Sequence, residues 1–326
     1  MNHPDIAPYL LKWYDQNAAD LPWRINKDPY RIWLSEIMLQ QTQIDTVMPY
    51  YHRFLDAYPS VSDLAAAPLD DILKQWEGLG YYSRARNLHK AAKIITDGLN
   101  GVFPQTAADL LKLPGIGRYT SGAIASIAYD EIVPVLDGNV IRVFSRLFDM
   151  ADDVTQSATK KKLWQLADDL IPDARPGDYN QSLMELGQKI CTPRNPDCSV
   201  CPVQALCKAY VNDTQHQRPV KKKKAPIPHY DVAAGIIYND VGQILIAQRP
   251  ADGLLGGLWE FPGGKQEKDE TLETCLKREL REELAIEVDN LEFFVKVRHA
   301  FTHFKITLHA FKCHYTGAMP PHTEPQ

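Results

Sequence analysis

The chain has 326 residues, 44% of them hydrophobic, and a formal net charge of −5. That length points to two domains rather than one, and no apolar run is long enough to span a bilayer. The acidic balance does not mark a nucleic-acid binder, so any DNA contact has to come from a local patch or from backbone N–H groups.

The chain opens MNHPDIAPYLLKWYD, with no apolar signal core, which predicts a cytoplasmic, reduced protein that does not associate with membranes. The run Ile32-Trp33-Leu34-Ser35-Glu36-Ile37-Met38-Leu39 is apolar except where Glu36 interrupts it. A carboxyl at the edge of a buried face has its pKa raised by desolvation and stays protonated, as a general acid requires. An ordinary paired or surface glutamate is the competing reading. Farther on, LHKAAKIITDGL, ADLLKL and KKLWQLADDLI repeat apolar residues at three- and four-residue spacing and predict helices. Leu113-Pro114-Gly115-Ile116-Gly117 predicts a tight hairpin between a helix starting near Thr106 and one continuing YTSGAIASIAY. The second helix would present free N–H groups and its positive dipole end at the turn, a setting that holds a DNA phosphate without reading bases. A plain helix–helix connector is the alternative. Asp137 follows the apolar VPVL and precedes Gly138-Asn139 and a helix through Val143 and Leu147. It reads either as a helix N-cap or as a charge placed to face a developing cation.

Four of the six cysteines fall in one stretch, Cys191-x6-Cys198-x2-Cys201-x5-Cys207. A reduced compartment argues against disulfides. Zinc sites usually pair their ligands in two short knuckles, and only Cys198 and Cys201 are so spaced. Four thiolates with uneven gaps suit an iron–sulfur cluster better, with Cys275 and Cys313 left free. After Cys207 comes a polar, Lys- and Pro-rich run from Asn212 to about His229, read as a solvated linker. Lys221 to Lys224 within it would otherwise be a phosphate-tracking patch or a nuclear signal.

Beyond the linker the pattern changes. DVAAGIIY, QILIAQR and KITLHAFKCHY read as strands, and an amphipathic helix runs from about Thr271 to Glu283. Gly264-x5-Glu270-x7-Arg278-Glu279-Leu280-x-Glu282-Glu283-x-Ala285-Ile286 matches the Nudix box except at Ala285, where glycine is usual. Glu279, Glu282 and Glu283 fall at i, i+3 and i+4 on one helix, so their carboxylates converge and could hold Mg2+ against a pyrophosphate. A solvated acidic face is the alternative. The tail MPPHTEPQ lacks the final helix that normally covers a Nudix sheet, which reads as a truncated or minimal domain.

The hairpin, the aspartate after it and the cysteine loop together resemble the iron–sulfur branch of the helix-hairpin-helix DNA glycosylase superfamily. LPWRINKDPYRIWLSEIMLQQTQI, LGYYSRARNL, LPGIGRYTSGAI and VLDGNVIRV are similar to its mismatch-adenine family in particular, over essentially all of residues 8–207. The resemblance implies a multidomain protein. An all-α helix-hairpin-helix glycosylase domain with an iron–sulfur loop at 191–207 would occupy residues 1–211. A linker at 212–229 and an α+β Nudix-like domain at 230–326 would follow.

The same resemblance implies a monomeric, monofunctional enzyme acting on duplexes with adenine opposite 8-oxoguanine or guanine, with a 4Fe–4S cluster at the four cysteines. Glu36 would be the catalytic acid and Asp137 its anionic partner, oriented by Asn139. Arg24 would line the adenine pocket. Gln41 and Tyr81 would fill the gap left by a flipped base, a core aromatic being the other reading of Tyr81, and Gly115 and Gly117 would hold the backbone. Bifunctional relatives carry a lysine two residues after the second hairpin glycine; Tyr119 stands there, without an amine. Phe301, Thr302 and His303, in HAFTHF, would contact 8-oxoguanine. A related glycosylase acting on another base, and a nucleotide pyrophosphohydrolase carrying a DNA-binding domain, are the other readings.

Overall fold

The computed structural model describes residues 4–222, 226–250, 256–301 and 303–315. The chain divides into two compact units, Met1–Lys222 and Lys223–Gln326.

The first unit is helical. It begins with α1 (Ala7–Asn17), α2 (Pro29–Leu39), α3 (Ile44–Ala57), α4 (Val61–Ala66), α5 (Leu69–Trp76) and α6 (Ser83–Lys93). Then come α7 (Ala107–Leu110), α8 (Arg118–Tyr129), α9 (Gly138–Leu147), α10 (Ser157–Leu170), α11 (Pro176–Lys189) and the short α12 (Lys208–Val211). Two apolar cores hold these helices. Trp33, Phe54, Trp76, Leu88 and Leu110 belong to one, built from α2 to α7. Leu10, Phe144, Leu163, Tyr179 and Leu183 belong to the other, so α1 joins the late helices α9 to α11. Helix α8 serves both, giving Ile124 to the first and Ala123 to the second. Side chains near the start of α8 therefore stand where the two cores meet.

The stretch read as a linker begins later than the sequence predicts. Residues 212–222 fold onto the first unit: Arg146 Nε donates to the carbonyls of Gln215 and Arg218 at 2.9 and 3.2 Å. Arg218 pairs with Asp149 at 2.9 Å, and the Val154 N–H bonds to the Val220 carbonyl at 3.0 Å. A buried guanidinium needs acceptors, and this polar run supplies them as carbonyls, which composition does not reveal. Lys223 and Lys224 lie outside the described residues.

The second unit carries a four-stranded sheet and one long helix. β1 (His229–Tyr238), β2 (Ala247–Gln248), β3 (Trp259–Glu260) and β4 (Gly263–Lys265) precede α13 (Leu272–Leu284). β5 (Asp289–Ala300) and β6 (Lys305–His314) follow it. The sheet order is β4-β1-β6-β5, with β1 parallel to β6 and the other pairings antiparallel; β2 and β3 pair separately. Cys275, Leu276 and Leu280 of α13 share a core with Ala233, Ile237, Phe311 and Cys313 of the sheet.

One of the three strand readings needs correction, and one long strand goes unmarked. Only Ala247 and Gln248 of QILIAQR form a strand, because the Asn239 carboxamide oxygen accepts from the N–H groups of Val241 and Gln243 and commits the start of that run to a turn. Strand β5 carries no strand signal in the sequence. Bulges between Asp289 and Glu292, and between Phe293 and Val295, break its two-residue period, and its residues are mostly exposed, so no alternation marks it. Helix α13 agrees closely with the sequence reading and is capped by the Thr271 hydroxyl, which accepts from the Thr274 N–H at 3.2 Å. Ala285, where a Nudix box usually has glycine, adopts φ 54° at the end of α13. That left-handed conformation is the one glycine favours. The tail after Tyr315 lies outside the described residues.

Candidate active site

Helix α2 starts where the Asp28 carboxylate accepts the Tyr30 N–H at 2.9 Å, with Pro29 at its first position. From Tyr30 to Met38 nearly every side chain is buried, and Glu36 is among them at 7% exposure. The hairpin predicted around Leu113 to Gly117 is present: α7, capped by Thr106, is followed by a turn that launches α8 from Gly117. Gly115 takes φ +78°, and a Cβ there would meet Asn87 Cβ at 2.7 Å, so the turn demands glycine. Gly117 has open space where its Cβ would be, and no side chain caps the first N–H groups of α8.

That launch point puts Tyr119 in the first turn of α8, against Glu36. The Tyr119 hydroxyl donates to Glu36 Oε2 at 2.8 Å and lies 3.1 Å from Met184 Sδ. Burial raises the Glu36 pKa from 4.5 to about 7; the Tyr119 hydrogen bond opposes the shift, Asp137 adds to it and Arg24 opposes it. Near neutrality the carboxyl is therefore divided between acid and anion.

Asp137 is a helix N-cap, the first of the two readings that the sequence allows. Its Oδ1 caps α9 by accepting the Val140 N–H at 2.7 Å, and its Oδ2 accepts from Asn139 Nδ2 at 2.7 Å. Burial raises its pKa, while the Val140 and Asn139 donors and Arg142 pull it down. Those donors solvate an anion in place of water.

Glu36, Tyr119, Asp137, Asn139, Arg24 and Gln41 line one cleft of about 910 Å³. Gln41 and Tyr81 lie in two different loops, each in the left-handed region, at φ 58° and 50°. A residue with a Cβ pays about 1 to 3 kcal/mol for such a backbone, which neighbouring contacts must offset.

Three charged groups of this region escaped the sequence reading. Glu185 binds Arg24 Nη1 at 2.7 Å, Lys189 Nζ at 2.6 Å and the Ala19 N–H at 2.8 Å, which fixes Arg24 at the cleft wall. Burial would raise its pKa, but Lys189 and Arg24 outweigh burial and the net shift is downward. Arg142 joins Asn139 Oδ1 at 2.8 Å to the carbonyls of Gly187 and Cys191, both at 2.6 Å. Arg84 grips the loops that carry Gln41 and Tyr81. An arginine inside the apolar run VIRVF was the one visible signal, for Arg142; the others depend on contacts across the fold.

Cys191, Cys198, Cys201 and Cys207 line a single small cavity together with Val143, Leu147, Leu186 and Val203. Arg146 Nη1 donates to Cys191 Sγ at 3.3 Å. Burial pushes the Cys201 thiol up to about 12, and Cys198 and Cys207 upward for the same reason. Four sulfurs around one apolar pocket, with a cationic donor beside one of them, fit a cluster held by a thiolate at each corner. Cys275 and Cys313 are buried free thiols of the second unit.

In the second unit Phe301 and His303 lie in the tight turn between β5 and β6, where the Phe301 N–H bonds to the Phe304 carbonyl at 2.8 Å. His299 meets Phe301 edge to face at 4.5 Å, Phe301 and Phe304 lie tilted against each other at 4.7 Å, and His303 is exposed. Thr302 lies outside the described residues. The carboxylates on α13 have a cation of their own. Arg278 pairs with Glu270 at 2.8 Å, Glu279 at 3.1 Å and Glu282 at 3.2 Å, leaving Glu283 as the member of the predicted metal set outside that pairing. Among the described residues, no three His, Cys, Asp or Glu side chains are grouped to hold a single metal ion. Among them, too, no helix is long and apolar enough to cross a membrane.

Residues 34–169 match the family described as "HhH-GPD superfamily base excision DNA repair protein", and residues 191–207 match "Iron-sulfur binding domain of endonuclease III". Residues 233–325 match the family described as "NUDIX domain". The solved structure of a thermostable thymine-DNA glycosylase is 30% identical and superposes with a TM-score of 0.58 over 64% of this chain and 95% of its own. The 191–207 loop is an iron–sulfur loop and carries a 4Fe–4S cluster. Protein purified anaerobically is expected to be brown, with about four irons per chain by metal analysis; stoichiometric zinc would contradict the assignment.

The adenine DNA glycosylases of Rattus norvegicus and Homo sapiens are 39% and 37% identical to this chain. The matches cover 96% and 97% of it and 71% and 68% of those proteins. Likeness of that extent, in a chain whose helical unit pairs a buried carboxyl with a helix-capping aspartate in one cleft, makes it a member of the adenine DNA glycosylase family, DNA N-glycosylases of base excision repair.

Proposed function

We propose that this chain excises adenine paired with 8-oxoguanine, and less readily with guanine, and that it does so as a monomer without a covalent enzyme–sugar imine. The observation that carries the reading is Glu36, buried against Tyr119 with a pKa near 7, across one cleft from Asp137.

The chemistry follows from those two carboxyls. Adenine is a poor anionic leaving group. A proton from Glu36 to its N7 lets the C1′–N9 bond break with the electron pair going to N9, so the base departs neutral. The sugar becomes oxocarbenium-like, and ionised Asp137 stabilises that charge. Water then forms the C1′–O bond, and its proton returns to a carboxylate. Tyr119 holds the Glu36 carboxyl in place, Asn139 orients Asp137, and Arg24, held by Glu185, borders the base. Adenine has to leave the stack first, with Gln41 and Tyr81 entering the duplex and the hairpin at Gly115 and Gly117 gripping the backbone. The cluster, when bound, orders the 191–207 loop.

We assign these steps to a glycosylase domain in the first unit and opposite-base recognition to the second, and we place the protein in the cytoplasm. Excision assays on duplexes with adenine, thymine or uracil opposite guanine and 8-oxoguanine test the reading. Release of adenine alone, fastest opposite 8-oxoguanine, is expected; preferential release of thymine or uracil overturns it. Because Tyr119 offers no amine, borohydride is expected to trap no protein on the DNA, and efficient trapping would exclude the monofunctional mechanism.

The same reading makes the second unit a recognition module without hydrolytic activity, since Arg278 already engages two of the three carboxylates on α13 in ion pairs. Changing Phe301 and His303 to alanine is expected to lower the preference for 8-oxoguanine over guanine by about tenfold while excision opposite guanine changes little. Glu282→Gln is expected to leave the preference intact. Release of pyrophosphate from 8-oxo-dGTP with Mg2+, stopped by Glu282→Gln, would instead favour the hydrolase reading.

A further inference from the structure

Arg84, on α6, is only 8% exposed, and its partners come from two loops distant in sequence. Its Nη1 donates to the carbonyls of Ile37, Met38 and Gln40 at 3.0, 2.8 and 2.6 Å. Its Nη2 donates to the carbonyls of Leu79 and Gly80 at 3.1 and 3.2 Å and to the Thr42 hydroxyl at 3.3 Å. The rings of Trp76 and Tyr81 flank the guanidinium at 5.3 and 5.4 Å.

The Ile37 and Met38 carbonyls lie in the last turn of α2, where carbonyls lack helical partners and a cation is favoured by the helix dipole. The Gln40 and Gly80 carbonyls belong to the peptide units directly before Gln41 and Tyr81. Fixing those two planes fixes the rotation by which each residue reaches its left-handed conformation, at φ 58° and 50°. A planar fork with five donors can hold both loops at once; an ammonium is a single point and cannot. Burial lowers the Arg84 pKa to about 10, still far above neutrality, so the cation persists.

We propose that Arg84 is the positioning residue that sets Gln41 and Tyr81 together as a pair of wedges, so that base flipping depends on it although it touches no substrate. The inference rests on the reading of those two side chains as wedges.

The test uses the full chain and a duplex with 2-aminopurine at the target position, whose fluorescence rises when the base leaves the stack. Arg84→Lys is expected to lose most of that rise at saturating protein and to release adenine about tenfold more slowly in single turnover. The loss is expected to shrink on a duplex whose flanking mismatches already loosen the target adenine. A purely structural lesion would slow both duplexes equally, and that result overturns the proposal, as does a full fluorescence rise with Arg84→Lys. Thr42→Val removes one acceptor and leaves the cation; about twofold slower release is expected. If Arg84→Lys loses its iron or unfolds, unchanged release by Thr42→Val overturns the proposal. The double variant Gln41→Ala, Tyr81→Ala separates the two readings. A full rise there removes the wedge reading itself, whereas loss there with none in Arg84→Lys removes only the role of Arg84.

Discussion

Glu36→Gln is expected to slow single-turnover release of adenine by about 10²- to 10⁴-fold, the usual share of a general acid, with duplex affinity nearly unchanged. Glutamine keeps the shape and can still accept from Tyr119, but it has no proton to give. Parental release should fall as pH rises through about 7, because burial places the Glu36 pKa there and the acid form is lost above it. Stability should follow the same group. A carboxyl whose folded pKa lies above its unfolded value binds its proton more tightly in the native state. The native state therefore loses stability as pH rises from 4.5 through about 7. Glutamine has no charge to desolvate, so Glu36→Gln should be more stable than the parent at pH 8 by roughly 1 to 3 kcal/mol, with near parity at pH 4. Denaturant unfolding at the two pH values measures this. Near-parental turnover by the variant, or lower stability at pH 8, would remove Glu36 from the buried acid's role.

Asp137→Asn is expected to lose about 10²- to 10³-fold in single-turnover release, since an amide offers no negative charge to a cationic sugar. Here the chemistry of capping separates the two roles of the residue. Asparagine caps a helix as well as aspartate does, so α9 should remain and thermal unfolding should change little. Asp137→Ala should lose both activity and about 1 kcal/mol of stability, because the Val140 N–H is left without its acceptor. A stable, active Asp137→Asn protein would reduce Asp137 to a cap.

Much of the site was legible in the chain because its signals are local. Glu36 stood out as the one charge in an apolar run, Asp137 as a polar stop before a helix, and the cysteines by their spacing. The glycine turn could be read because Gly115 needs a left-handed backbone that other residues resist. Strand β5 could not, because its bulges scramble the alternation and its partner β6 supplies the ladder. The folded run at 212–222 looks like linker in the sequence for a related reason: its order comes from Arg146 and Asp149, far away in sequence.

What the residues alone determined, then, was which groups stand out: a glutamate in an apolar run, an aspartate before a helix, a cysteine loop and a glycine turn, each encoded within a few positions. The tertiary structure decided how those groups behave. It placed Tyr119 on Glu36 across a gap of 83 residues, and Glu185 on Arg24 across 161. It also raised the Glu36 pKa by excluding water from the cleft floor. Desolvation and long-range hydrogen bonds depend on which surfaces are brought together, and no local pattern of residues carries that information.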